Sequence, residues 1–257
     1  MMDGTFRVLA MGNSFSEDAM RYLYPVAQEA GFSDIRLGNL FIGGCSLEKH
    51  AANARANLPV YTYQTNTAGD WHDRPASMAE ALEEPWDLVT LQQVSGQSGQ
   101  PSSYNEDLDY LIQYVRERMI NPGSRLAWHM TWAEQAGSPH PGFAHYGCDQ
   151  DVMYHAIVGA VQSRIACNPA FDLVIPTGTA IQNLRTILGD TLTRDGFHLS
   201  DPVGRFTASM TWLRAISGRL PGGVPASVPD AERVRPFLPA IHKAVEAAIT
   251  APYTVMS

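Results

Sequence analysis

The stretch TFRVLAMGNSFSEDAM, residues 5–20, predicts the fold, because an apolar run ends in a Gly-Asn-Ser turn and a helix-like segment follows. Residues 5–11 are largely apolar, as in strands buried between two layers of helices. Ser16 is a favourable N-cap and acidic residues follow it, so we predict a helix over 16–30, with Gly31 as its C-cap. Ser14 lies at the junction, where it is either an ordinary turn residue or a nucleophile.

The alternation of apolar runs and helical periods continues outward from this stretch. Further strands are predicted at 35–42, 86–93, 125–132 and 171–178, and helices at 46–56, 76–84, 104–119, 149–167 and 179–188. Strands that alternate with helices predict a parallel sheet with right-handed crossovers. We therefore expect an α/β fold with a central, mostly parallel five-stranded sheet.

Three segments depart from this repeat. Residues 57–75 are aromatic and predict a short hairpin over the sheet, and residues 133–149 form a Gly/Pro/His-rich loop of a length typical of lids and binding loops. Residues 217–230 resemble a linker, and an amphipathic helix is predicted at 231–249. Since no repeat or second core is visible, we predict one domain over 1–257, with the last helix packed on it.

Composition narrows the function classes. The net charge of −8 disfavours nucleic acid and anionic membranes as partners. We find no CxxC, HExxH or EF-hand spacing, so we expect no metal, and nothing suggests a cofactor. The start of the chain lacks the basic region of a secretory signal, and three cysteines without close pairs suit a reducing compartment, so we expect a cytoplasmic protein. The oligomeric state is not predicted.

Residues directly after parallel strands are candidates for chemistry, because ligands bind outside the carboxyl ends of such strands. Ser14 follows the first strand, and a serine nucleophile needs a base that is itself oriented by an acceptor. Asp195 and His198 are three residues apart, which allows a carboxylate to orient an imidazole in a tight turn. Backbone N–H groups of Ser14 and Gly44 are candidate oxyanion donors.

The chain resembles the SGNH (GDSL-type) hydrolase superfamily in four blocks, in particular a branch of uncharacterised or carbohydrate-esterase-like members. The blocks are MGNSFSED with Ser14, GGCSLEKH with Gly44, TLQQVSGQSG, and DGFHLS with Asp195 and His198. The resemblance covers roughly residues 6–216. It implies a flavodoxin-like three-layer α/β/α fold and hydrolysis of acyl esters without a metal, with Ser14, His198 and Asp195 as the triad.

Two positions depart from the family pattern. Asn13 replaces the usual aspartate before the serine, and a glutamine replaces the asparagine of the third block. Gln92 and Gln93 both offer an amide donor for the oxyanion hole, and we favour Gln93 because it is the last residue before the turn.

We also expect a sugar-stacking wall beyond the fourth strand. Its candidate residues are His129, Trp132, Gln135 and Tyr146, with Trp71 beside them. The alternative is that these aromatic residues are simply buried, because buried tryptophans would have the same sequence pattern.

These features predict a serine esterase that removes acetyl or another short acyl group from a carbohydrate or small polar molecule. A lysophospholipase or thioesterase of the same fold is the alternative within this chemistry. A non-catalytic carbohydrate-binding protein is the alternative outside it, and a nucleotide-binding protein is disfavoured because no phosphate-binding glycine motif follows the first strand.

Overall fold

The computed structural model describes residues 4–256. The strands are β1 Thr5–Gly12, β2 Asp34–Phe41, β3 Tyr61–Asn66, β4 Trp71–Ala76, β5 Leu88–Leu91, β6 Arg125–His129 and β7 Leu173–Ile175. The α-helices are α1 Ser14–Met20, α2 Leu23–Glu29, α3 Leu47–Arg55, α4 Met78–Leu82, α5 Glu106–Arg118, α6 Gln150–Arg164, α7 Thr177–Leu188, α8 Val203–Ser217, α9 Ala231–Val234 and α10 Leu238–Thr250.

The sheet has seven strands in the order β4-β3-β2-β1-β5-β6-β7. Five neighbouring strands of this sheet are mutually parallel, in the order β2, β1, β5, β6 and β7. They correspond to the five predicted strands. The predicted count was too low by two, because the hairpin of β3 and β4 extends the sheet instead of lying over it. β3 pairs antiparallel with β2, and β4 antiparallel with β3.

Helices cover both faces of the parallel strands, which confirms the α/β/α architecture. Alternate side chains of β1 enter two different cores: Phe6, Val8 and Ala10 pack with α1, α2, α7, α8 and α10, while Leu9 and Met11 pack on the other face. The second core includes apolar residues of α3, α4, α5 and α6. The need for apolar side chains on both faces explains the near-continuous apolar runs in the sequence.

The predicted helix over 16–30 is two helices, and the first begins earlier than expected. Asn13, not Ser16, is the N-cap of α1, and its side chain accepts a hydrogen bond from the Phe15 N–H at 3.0 Å. The break before α2 is explained by Pro25, which cannot donate to the carbonyl of Arg21 and whose ring would clash with it.

The C-terminal segment packs on the face of the sheet that carries α1. The predicted helix at 231–249 is divided into α9, a 3-10 turn at Arg235–Phe237 and α10. Pro236 and Pro239 lie at this division and lack the N–H groups that a continuous helix requires. Residues 133–149 are a loop, as predicted, apart from a 3-10 helix at Pro141–Tyr146.

Within residues 4–256, no helix combines the length and the apolarity required to cross a bilayer.

Candidate active site

Ser14 is the first residue of α1 and directly follows the turn that ends β1. Gly12 is required there, because a Cβ at this position would lie 2.5 Å from Ser16 Oγ and 2.9 Å from the side chain of Gln92. The chain can therefore turn sharply from strand into helix, and Ser14 remains partly exposed at the carboxyl edge of the sheet.

The structure brings Ser14 together with the predicted Asp195 and His198, across 184 positions of sequence. Ser14 Oγ donates to His198 Nε2 at 2.8 Å, and His198 Nδ1 donates to Asp195 Oδ2 at 2.6 Å. The imidazole thus has its acceptor nitrogen towards the hydroxyl and its N–H towards the carboxylate. This is the geometry by which a serine hydroxyl can be deprotonated during attack on a carbonyl.

Asp195 is held in the ionised form that orients His198. Partial burial alone would raise the pKa of Asp195, but hydrogen bonds from the His198 side chain and from the N–H groups of His198 and Phe197 lower it overall. Two further contacts close the loop on itself: the Arg194 N–H donates to the His198 carbonyl at 2.9 Å, and Thr193 forms an antiparallel bridge with Leu199.

A buried carboxylate on α1 anchors this loop to the helix that carries Ser14. Asp18 is fully buried, and it accepts hydrogen bonds from Arg205 Nε at 2.7 Å, from Leu199 N at 2.7 Å and from Arg194 Nη1 at 3.0 Å. Burial would lower the pKa of Arg205, but the carboxylates of Asp18 and Asp201 raise it overall. Because Arg194 and Leu199 flank Asp195 and His198, Asp18 sets the position of these two residues relative to Ser14.

Gly44 lies in an exposed turn beside the Ser14 turn. Its φ of +61° is in the left-handed region, which a residue with a side chain rarely adopts. Asn13 Nδ2 donates to the Cys45 carbonyl at 3.1 Å and so joins the two turns. Among residues 4–256, neither the Ser14 N–H nor the Gly44 N–H has a hydrogen-bond acceptor.

Gln92 and Gln93 do not occupy the role expected of them. Gln92 Nε2 donates to Asn13 Oδ1 at 2.9 Å, and Gln92 Oε1 accepts from His129 Nδ1 at 2.8 Å. Gln93 Nε2 donates to the hydroxyl of Ser103 at 3.0 Å, and Gln93 Oε1 accepts from the Leu47 N–H at 3.2 Å. Both side chains are buried and hold neighbouring loops, so neither amide is directed to an oxyanion at Ser14.

The predicted sugar-stacking wall does not form, because His129, Trp132 and Tyr146 are buried; Trp71 is partly exposed but lies at the start of β4. Trp132 is fully buried, stacks on Phe15 with 4.2 Å between ring centroids, and donates to the Phe197 carbonyl at 2.7 Å. His129 is fully buried, and burial lowers its pKa to about 3.

The remaining two members of this wall also have structural contacts. The Tyr146 hydroxyl accepts from the Gly99 N–H at 2.9 Å, while the Gln135 N–H donates to the Gly196 carbonyl at 2.7 Å. These contacts support the loops around the candidate site: Tyr146 is buried, and the Gln135 side chain, which is partly exposed, accepts from the Thr193 hydroxyl.

The sequence pattern does not identify Asp18 as a site residue. Its position predicts only a favourable charge in a first helical turn, and no local pattern distinguishes such an acid from one that is buried against two arginines. The two arginines lie 176 and 187 positions away, so only the fold reveals the contact.

The fold and the hydrogen-bonded residues together define a three-layer α/β/α protein with a Ser–His–Asp chain at the carboxyl edge of its sheet. The family is shown by sequence: the model of the family described as "Domain of unknown function (DUF4886)" matches residues 7–222. The chain therefore belongs to the DUF4886 family.

Two solved structures are similar to this chain. A DUF4886 family protein from Bacteroides uniformis is 38% identical, with a TM-score of 0.87 and alignment over 98% of this chain and 97% of that chain. A catalytic mutant of Axe2, an acetylxylan esterase from Geobacillus stearothermophilus, has a TM-score of 0.52 at 12% identity, over 84% of this chain and 97% of that chain. The second likeness shows a shared fold alone. No curated protein sequence matches the chain significantly.

Proposed function

We propose that this protein is a serine esterase of the SGNH type, which removes acetyl or another short acyl group from a carbohydrate or small polar molecule. The observation that carries the proposal is the unbroken chain of hydrogen bonds from Ser14 Oγ through His198 to Asp195. The shared fold with an acetylxylan esterase is consistent with it.

In the proposed mechanism, Ser14 Oγ forms a bond to the ester carbonyl carbon while its proton passes to His198 Nε2. Collapse of the tetrahedral intermediate breaks the bond to the alcohol oxygen, which takes the proton from His198. Water then attacks the acyl-enzyme with His198 again as base, releasing the acid and restoring Ser14. Asp195 keeps the imidazole in the required tautomer throughout.

The oxyanion is stabilised by the backbone N–H groups of Ser14 and Gly44. Both lack an acceptor within residues 4–256, and the Asn13–Cys45 hydrogen bond holds their turns together. Preorganised donors of this kind commonly supply the largest part of the rate enhancement in acyl transfer.

A short acyl group is favoured because, within residues 4–256, no large exposed hydrophobic side chain lies in the turns around Ser14; Phe197, whose ring centroid is 4.1 Å from that of His198, is only partly exposed. The exposed large hydrophobic residues of the described chain lie in none of the turns that carry Ser14, Gly44 or His198: they are Leu58, Val60, Ile120, Val152, Ile187, Phe237 and Met256. A long acyl chain, as in a lysophospholipase or thioesterase, would need an apolar groove at this place.

The test is hydrolysis of p-nitrophenyl esters of increasing chain length by the wild type and by Ser14→Ala. We expect acetate to be the preferred substrate, and kcat to fall by about 10⁴ to 10⁶ in the variant, because triad residues act as a unit. Ser102→Ala, at an exposed serine, is the matched control and should keep wild-type activity. Near-native activity of Ser14→Ala would refute the proposal, and a preference for long chains would refute the short-acyl part.

A further inference from the structure

A polar pocket of about 240 Å³ lies between α1 and the β3–β4 hairpin, on the helix face that carries the nucleophile. Its lining residues are Glu17, Arg21, Asn39, Gln64, Trp71 and Asp73. Glu17 follows Ser14 by three residues, so the pocket begins a little less than one helical turn, about 4.5 Å along the axis, from the nucleophile. The pocket is thus placed to hold the part of a substrate beyond its scissile ester.

One wall of the pocket is a fixed row of amides. Asn39 Nδ2 donates to Gln64 Oε1 at 2.8 Å, and Gln64 Nε2 donates to Glu17 Oε1 at 3.2 Å. Ser16 Oγ donates to Asn39 Oδ1 at 2.8 Å, which connects this row to the helix of Ser14. The amide orientations are therefore set before any ligand arrives.

The other groups of the pocket retain hydrogen-bonding capacity. Within residues 4–256, neither the Arg21 guanidinium nor the Asp73 carboxylate has an ion-pair or hydrogen-bond partner. They are directed to the same pocket as the partly exposed indole of Trp71. The site thus offers donors, acceptors and one aromatic surface.

We infer that this pocket binds the sugar ring of an acylated carbohydrate, whose ester then lies at Ser14. A sugar hydroxyl both donates and accepts, which matches a wall of amides, carboxylates and a guanidinium. The apolar C–H face of a sugar ring matches an indole. The amide wall disfavours a cationic alcohol such as choline, which has no hydroxyl left to pair with Asn39 or Gln64 once it is esterified, and the lack of an aliphatic lining disfavours a lipid. The inference rests on the proposed esterase function and names the alcohol portion of its substrate.

The first experiment compares esters that share the acetyl group and differ in the alcohol. The substrates are a methyl glucoside monoacetate, cyclohexyl acetate, acetylcholine and p-nitrophenyl acetate. We expect kcat/KM for the sugar acetate to exceed that for cyclohexyl acetate, which has a similar ring and no hydroxyl groups. Equal values, or a preference for acetylcholine, would overturn the assignment.

The second experiment changes the pocket. In Trp71→Ala and Asp73→Ala, the ratio of kcat/KM for the sugar acetate to that for p-nitrophenyl acetate should fall about tenfold, through KM, because each variant removes direct contacts to the sugar. Asp73 is exposed, so its variant keeps the fold. Arg74→Ala is the control, since Arg74 lies on the opposite face of β4, over the Tyr63 ring. An unchanged ratio in both pocket variants would overturn the assignment.

A third measurement separates this inference from the esterase proposal. Binding of methyl glucoside to Ser14→Ala can be measured by saturation-transfer NMR, which requires no turnover. Binding that is lost on adding Trp71→Ala supports the pocket even if p-nitrophenyl acetate is not hydrolysed by the wild type. Absence of binding to Ser14→Ala overturns the pocket even if the esterase activity is present.

Discussion

Replacing Asp18 by alanine should destabilise the protein and misplace the loop that carries Asp195 and His198. The substitution leaves the guanidinium groups of Arg194 and Arg205 without their buried partner, and it leaves the Leu199 N–H without an acceptor. Breaking a buried ion pair costs about 3 to 5 kcal/mol. The Arg194 side chain is 36% exposed and regains water, so we expect a value near the lower limit.

A loss of about 3 kcal/mol corresponds to a fall in Tm of about 6 to 12 °C for a chain of this size. The loop with Asp195 and His198 would also lose its connection to α1. Because a displacement of about 1 Å can cost about 100-fold in rate, kcat should fall by about 10- to 100-fold with little change in KM.

The assay combines thermal unfolding with p-nitrophenyl acetate kinetics for three variants. Asp18→Asn keeps an acceptor for the Leu199 N–H and should fall between wild type and Asp18→Ala in both readouts. Asp201→Asn is the control, because Asp201 is an exposed partner of Arg205 and exposed pairs contribute about 0 to 1 kcal/mol, while the asparagine oxygen can still accept from the Tyr22 hydroxyl. A Tm and a kcat of Asp18→Ala that match the wild type would refute the anchoring role.

Three further predictions follow from buried and hydrogen-bonded groups. Asp195→Asn should lower kcat for p-nitrophenyl acetate by about 10³ to 10⁴, because the amide no longer holds the productive tautomer of His198. A loss of less than about tenfold would contradict this prediction. Burial lowers the pKa of His50 to about 4 and of His129 to about 3. Because a histidine in the unfolded chain has a pKa of about 6.5, the unfolded state binds more protons than the folded state in this pH range. The free energy of unfolding, measured by urea titration, should therefore fall from pH 6.5 towards pH 4, by up to about 2.7 kcal/mol per pH unit for the two histidines. A free energy of unfolding that does not change with pH would contradict this prediction. Burial raises the pKa of the Cys45 thiol to about 12. Iodoacetamide at pH 8 should therefore label the two exposed cysteines and leave Cys45 unmodified. Mass spectrometry that finds Cys45 alkylated in the folded protein would contradict this prediction.

The parallel part of the fold could be predicted because strands between two helix layers must be apolar on both faces. The hairpin could be predicted as a hairpin, but its place in the sheet could not. β4 is exposed along most of its length, and an exposed strand carries no strong periodic signal. Its pairing with β3 is visible only in three dimensions.

The candidate triad could be predicted because each member follows from a local rule: Ser14 from its place after a strand, and Asp195 and His198 from their spacing. The glutamines could not. Adjacent strand residues face opposite sides of a sheet, so only one of Gln92 and Gln93 is expected to point to the site. Both are 1% exposed, because the chain is covered on both sides there. Hydrogen bonds to Asn13 and Ser103, which are remote in sequence, decide where they point.

The hairpin has a consequence for how the protein behaves among copies of itself. The outer strand β4 carries His72, Asp73, Arg74 and Pro75, and the opposite margin of the sheet is the three-residue β7. Charge, proline and brevity each make a strand a poor template for pairing with another chain. Both edge strands of the sheet therefore disfavour self-association. Replacing the charged residues of β4 by valine should favour aggregation at high protein concentration.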